Sequence, residues 1–174
     1  MCGCNKNKPK STVVLPASRS FAAGAAPAAP VVESLPIVDT SIWGPPLWKV
    51  LHIAAAATIT KGRQSQWKLI LNTLLTGLPC PDCTAHYVVW YRAHPLGITL
   101  FPKRNSRQIV TWLLDLHNDV NRRTGRPAWN AAQLDAAYIG NQIQIQDAKD
   151  TLATLQGVIG QNAWTALHTL LNSL

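Results

Sequence analysis

Two cysteine pairs carry the most reactive chemistry in this sequence, Cys2-Gly3-Cys4 and Cys80-Pro81-Asp82-Cys83. Two intervening residues bring thiols within bridging distance, and a helix opening at Cys80 favours thiolate through its unpaired backbone N–H groups and its dipole. Dithiol–disulfide exchange requires that arrangement. A thioredoxin-type fold would set such a motif after a strand, whereas the segment before Cys80 reads as helix. The same residue types also suit zinc, with Cys80, Cys83, His86 and His94 as ligands. That is the basis of an alternative reading, a zinc-stabilised helical binding module with a basic nucleic-acid-binding face. Four ligands from one helix rarely close a tetrahedron, however, and no second CxxC follows. At the other pair, glycine permits a small, strained, exchangeable disulfide, with acylation or two unremarkable thiols as the alternatives.

The elements that must position these groups follow from hydropathy. A composition 47% hydrophobic and 14% charged over 174 residues supports one good core rather than two. No uninterrupted apolar run approaches the ~18 residues of a membrane span, which excludes a transmembrane protein. Residues 1–40 hold Pro9, Pro16, Pro27, Pro30 and Pro36 and an Ala/Gly/Pro stretch from Ala22 to Pro30, so they read as a flexible tail. Its acid-free start has the flavour of a transit peptide, but prolines interrupt the amphipathic helix, and no apolar run follows the lysines to make a secretory signal. Beyond the tail the spacing is helical. Leu47, Trp48, Leu51, His52 and Ala55 share a face behind Pro45 and Pro46, which suit a first turn, and Trp67, Ile70, Leu71, Leu74 and Leu75 repeat it before a stop at Gly77. A third helix runs from Cys80 to about Ala93, and a fourth, capped by Ser106, carries Ile109, Trp112, Leu113, Leu116 and Val120. Gly125 and Pro127 close it. A short helix follows from Ala131 to Tyr138, then a C-terminal helical part that Gly157 and Gly160 bend or split. No strand pattern of useful length appears, and an all-α bundle is expected.

The net charge is +8, with Lys6, Lys8, Lys10 and Arg19 in the tail and small clusters at Lys103, Arg104, Arg107 and at Arg122, Arg123, Arg126. Scattered positive charge without a nucleic-acid-reading motif argues against specific nucleic-acid binding. Arginine forks match phosphate oxygens, so the second cluster suits a phosphate-bearing cofactor equally well. Taken singly, Trp48, His52, Trp112, His117 and His168 are each as readily core or turn residues.

Taken in order, Trp43-Gly44-Pro45-Pro46-Leu47-Trp48 with His52, Pro79-Cys80-Pro81-Asp82-Cys83 with His86-Tyr87, then Trp112 and His117-Asn118-Asp119-Val120-Asn121 ending in Gly125-Arg126-Pro127, resemble the Erv/ALR family of FAD-linked sulfhydryl oxidases. The match covers about residues 42–138, and its Trp-Gly-Pro-Pro start is similar to forms encoded by large DNA viruses. The resemblance implies an FAD-binding four-helix bundle plus a short fifth helix, spanning 41–138, between the tail and a helical extension at 139–174. It implies that Cys83 is the flavin-proximal thiolate and Cys80 the interchange thiol. Gly44, Trp48, His52, His86 and Trp112, with His117, Asn118, Val120 and Asn121 on the adenosine side and Arg123, Arg126 and Trp129 around phosphates and adenine, would hold FAD. Cys2 and Cys4 would be a shuttle disulfide, reduced protein dithiols and molecular oxygen the partners, a homodimer the usual assembly, and no metal is needed. Three positions depart from the family. Tyr91 and Leu114 stand where many relatives carry a further disulfide, and Ala56 where a tyrosine commonly follows the first-helix histidine.

Overall fold

In the computed structural model the described residues are 35–96, 107–139 and 144–174, and every regular element among them is helical. Helix α1 spans Thr40–Thr58, α2 Gln64–Gly77, α3 Pro81–Ala93, α4 Gln108–Arg123, α5 Ala131–Leu134 continued by a π turn Asp135–Ile139, α6 Ile145–Ala153 and α7 Gln161–Asn172. Cys2, Cys4, Lys103, Arg104 and Ser106 lie outside the described residues. Arg107, not Ser106, occupies the N-cap position of α4, and it provides no side-chain cap.

Helix α1 begins earlier than Pro45 and Pro46 suggest. Asp39 caps it, its carboxylate accepting the Ser41 N–H at 2.8 Å, and the prolines fall inside. Prolines there deprive the Ser41 and Ile42 carbonyls of an i+4 donor, which is tolerable because both residues are exposed. The alanine run Ala54–Ala57 is buried, and small side chains let other helices approach closely. Helix α1 packs on α4, α6 and the π turn, α2 on α3 and α7, and α6 on α7. Residues Glu33–Leu174 form one compact unit, so the C-terminal helices share the core: Leu152, Leu155, Ile159, Leu167 and Leu170 are buried with Val50, Ile70 and Leu113. Lys49 and Asp147 pair at 2.7 Å across α1 and α6. Among the described residues no helix is long and apolar enough to cross a membrane.

The glycines do more than stop helices. Gly157 takes φ +74°, the left-handed region that turns the chain between α6 and α7. Gly160 donates its N–H to the Gly77 carbonyl at 2.8 Å, and a Cβ on it would sit 2.8 Å from the Gly77 Cα. Backbone cannot yield as a side chain does. Gly160→Ala is therefore expected to cost about 1–3 kcal/mol as overpacking, read as a lowered urea midpoint. An unchanged midpoint would show that α7 can shift away.

A hydrogen bond and packing hold Tyr91 and Leu114 in place. The Tyr91 hydroxyl donates to Asn72 Oδ1 at 2.7 Å, its ring meets Trp112 edge-on at 6.3 Å, and Leu114 is buried.

Candidate functional site

Cys80 is the N-cap of α3 and Pro81 its first residue, where a missing N–H costs nothing. The Cys83 N–H points back at Cys80 Sγ (3.2 Å), and the two cysteines form a disulfide with Cα atoms 5.2 Å apart. A chain segment outside α3 braces this turn. The Val38 N–H donates to the Pro79 carbonyl at 3.1 Å, and the Trp43 indole N–H donates to the Val38 carbonyl at 3.2 Å. The start of α1 is thereby tied to the residue before Cys80.

Beside the disulfide lies a cavity of about 450 Å³, within the ~300–1,000 Å³ range of ligand sites. Cys83 lines it and Cys80 does not. Aromatic and aliphatic side chains share its walls. Trp48 stacks on His117 at 4.2 Å with planes 5° apart, His117 meets Trp129 at 5.5 Å, and Trp129 stacks on Tyr138 at 5.8 Å. Arg123 and Arg126 also line it, supplying the positive charge an anionic group needs. Arg122 is occupied elsewhere, binding Asp119 at 2.8 Å.

Three polar arrangements hold these walls in place. His86, on the wall, bonds Asp119 at 2.6 Å. Burial pushes the Asp119 carboxyl up, but hydrogen bonds and charge from His86 and Arg122 outweigh it and hold the group below its ordinary value. Asn118 grips Trp129 by two bonds, accepting its N–H at 2.7 Å and donating to its carbonyl at 2.8 Å. Asn121 donates to the Pro127 carbonyl at 3.2 Å and its carbonyl accepts the Arg126 N–H at 2.8 Å, folding the segment after α4, with Gly125 at φ +69°, back over the cavity.

Beneath the wall His52, 1% exposed, contacts His117 Nδ1 through Nε2 at 3.0 Å and stacks on Tyr138 at 4.9 Å. Burial first, then the neighbouring His117, lowers the His52 pKa to about 3. Burial, then the charge of Arg126, lowers His117 to about 4.

Cysteines, aromatic walls and arginines around one cavity coincide with a match of residues 45–139 to the sequence profile of the Erv1/Alr family. The chain belongs to that family. Among its Erv1/Alr relatives are the FAD-linked sulfhydryl oxidases of two African swine fever virus isolates, 31% identical over 88 residues and 29% over 87, each match covering 48% of this chain and 69% of the relative. The FAD-linked sulfhydryl oxidase ERV1 of Arabidopsis thaliana is 27% identical over 117 residues, 62% of this chain and 59% of the relative. No solved structure matches the chain significantly.

All but one of the described cofactor residues expected from the Erv1/Alr resemblance, with Cys83, fall into two groups. Gly44, Trp48, Cys83, His86, His117, Val120, Arg123, Arg126 and Trp129 line the cavity. His52, Asn118 and Asn121 lie behind it and hold its walls. Trp112 is placed elsewhere: its N–H donates to the His94 carbonyl at 2.9 Å, and it packs edge-on to Trp90 at 6.4 Å, anchoring the end of α3. Nothing among the described residues supports the zinc arrangement: Cys80 and Cys83 are joined as a disulfide, His86 is paired with Asp119 and His94 stacks on Trp90 at 3.7 Å. Sequence reasoning missed Tyr138 and Leu116 on the wall and Asp119 behind His86. Ala56 is buried, and an aromatic over His52 comes from Tyr138 instead. An isolated tyrosine at the end of a short apolar segment gave no signal of that role.

The neutral histidine pair makes stability pH-dependent. Both folded pKa values lie below the unfolded value of 6.5, so the unfolded chain binds more protons between them, and stability falls as pH drops from about 6.5 toward 4 and 3. A loss on the order of 3 kcal/mol for each histidine between pH 7 and pH 4 is expected in urea titrations. The lowered carboxyls of Asp39 and Asp119 act mainly below their ordinary 3.8, leaving that window to the histidines. A flat profile there would contradict a buried neutral pair.

Proposed function

We propose that this chain is an FAD-linked sulfhydryl oxidase that introduces disulfides into reduced protein dithiols. The observation that carries the reading is that one cysteine of the redox disulfide, Cys83, lines an aromatic and arginine-walled cavity from which the other, Cys80, is absent. The cavity suits FAD chemically: ring faces at Trp48, His117 and Trp129 match flat heterocycles, and the Arg123 and Arg126 guanidinium groups match a pyrophosphate. Bound FAD would accept an electron pair and pass it to molecular oxygen, giving hydrogen peroxide.

The chain's own residues take the reaction up to that point. A substrate thiolate attacks Cys80 Sγ, the S–S bond breaks, and Cys83 leaves as a thiolate. The helix N-terminus stabilises that charge, since Cys83 sits in the first turn of α3. A second substrate thiolate then displaces Cys80 from the mixed disulfide. The substrate departs as a disulfide, with its two electrons now on the Cys80–Cys83 dithiol. Cys80 faces the substrate and Cys83 the cofactor, so one bond separates bulky protein thiols from a shielded cavity. Cys2 and Cys4 serve as the relay pair in this reading, and a homodimer carries over from the resemblance.

Flavin content tests the proposal. The full chain purified with ample riboflavin should be yellow, release FAD on denaturation, and consume oxygen with dithiothreitol while forming peroxide. Intact, folded protein that neither contains nor takes up flavin would overturn it.

A further inference from the structure

The buried imidazole pair fixes more than shape. Since His52 Nε2 and His117 Nδ1 are 3.0 Å apart, one of these two nitrogens is the donor. His52 Nδ1 is buried with no hydrogen-bond partner. Were His117 the donor, a neutral His52 would carry its proton on Nδ1, an N–H enclosed with nothing to accept it. Leaving a buried donor unmade costs about 1–3 kcal/mol, and orphaned N–H groups are rare in native interiors. With His52 donating from Nε2, its Nδ1 is only a bare lone pair and His117 Nδ1 is filled as an acceptor. The proton of a neutral His117 then has Nε2 alone to occupy.

We infer that His52 is a positioning residue that sets the tautomer of His117, so that His117 offers an Nε2–H donor and selects a ligand carrying a hydrogen-bond acceptor there. His117 itself lines the cavity, and its stacking on Trp48 at 4.2 Å keeps the ring from turning over. Burial holds both imidazoles neutral, which is what makes the tautomer matter. Arg126 lines the same wall with donors only, so the surface beside His117 calls for an acceptor-rich ligand face, such as a heterocycle nitrogen or a sugar oxygen. The inference rests on the oxidase reading only for the identity of that ligand.

Nitrogen NMR of the full chain labelled with ¹⁵N-histidine tests it. Both His52 and His117 should show imine-type Nδ1 and protonated Nε2 in the wild type at neutral pH, and this measurement needs no variant. In His52→Leu, His117 should shift to an Nδ1–H or mixed tautomer, and FAD affinity, read by flavin fluorescence titration, should fall about tenfold, the worth of one hydrogen bond. Gln at position 52 keeps an N–H donor, and His52→Gln should restore both the tautomer and the affinity. A wild-type His117 protonated at Nδ1, or a His52→Leu variant whose His117 tautomer is unchanged, would overturn the inference. Absence of FAD binding by the wild type would sink the oxidase reading instead, while the NMR spectrum still decides the tautomer.

Discussion

Cys80→Ser and Cys83→Ser should each reduce dithiothreitol-driven oxygen uptake to background, a loss of at least about a hundredfold, while FAD stays bound. The two sulfurs act as one unit, so removing either stops electron entry, and the double variant should be no worse than the singles. Retention of cofactor follows from the walls: Trp48, His117, Trp129, Arg123 and Arg126 come from α1, α4 and the segment after α4, none of which the substitutions touch. The two variants differ in one respect. In Cys80→Ser the remaining sulfur lines the cavity at a helix N-terminus, which favours thiolate, and a thiolate against bound flavin gives a long-wavelength absorption band. In Cys83→Ser the remaining sulfur lies outside the cavity and no band should appear. A band in Cys83→Ser but not in Cys80→Ser would exchange the proposed roles, and full activity in either variant would remove the pair from the reaction.

Much of this arrangement was legible in the residues because helical periodicity and motif spacing are local signals. The apolar spacing of Trp67, Ile70, Leu71 and Leu74 corresponds to buried positions of α2, and the CxxC occupies the opening of α3 as the prolyl residue after Cys80 suggests. Contacts made over long sequence separations were not legible. Gly77 reads as a stop, yet it is also where the backbone of Gly160 is received, and only tertiary packing reveals that. Helix α1 starts before the turn that Pro45 and Pro46 suit, because the Asp39 side chain caps it at Ser41. Trp112 carried a motif position but points its N–H at the His94 carbonyl, a partner on another helix end. Tyr138 was invisible for the converse reason: no motif marks it, and its place on the wall depends on a π turn packed against α1.

The brace between Val38 and Pro79 decides how the proposed relay by Cys2 and Cys4 should be tested. A truncation reaching Val38 would remove the N–H that holds the Pro79 carbonyl and the carbonyl that holds Trp43, disturbing the turn that presents Cys80. A chain beginning at Glu33 leaves both bonds and the Asp39 cap intact and removes both cysteines. In that truncation, oxidation of dithiothreitol should remain nearly unchanged, because a small dithiol reaches Cys80 directly. Oxidation of a reduced, folded protein should fall by about tenfold or more. A tethered disulfide re-presents itself at an effective concentration of order millimolar, whereas a bulky thiol has to reach Cys80 in a braced turn by free diffusion. The double substitution Cys2→Ser with Cys4→Ser should reproduce the effect while keeping Lys6, Lys8 and Lys10, which separates thiol relay from electrostatic docking. Oxygen consumption on the protein substrate reads both. If the double variant matches the wild type while the truncation loses activity, the segment works through its charge or contacts and not through its sulfur.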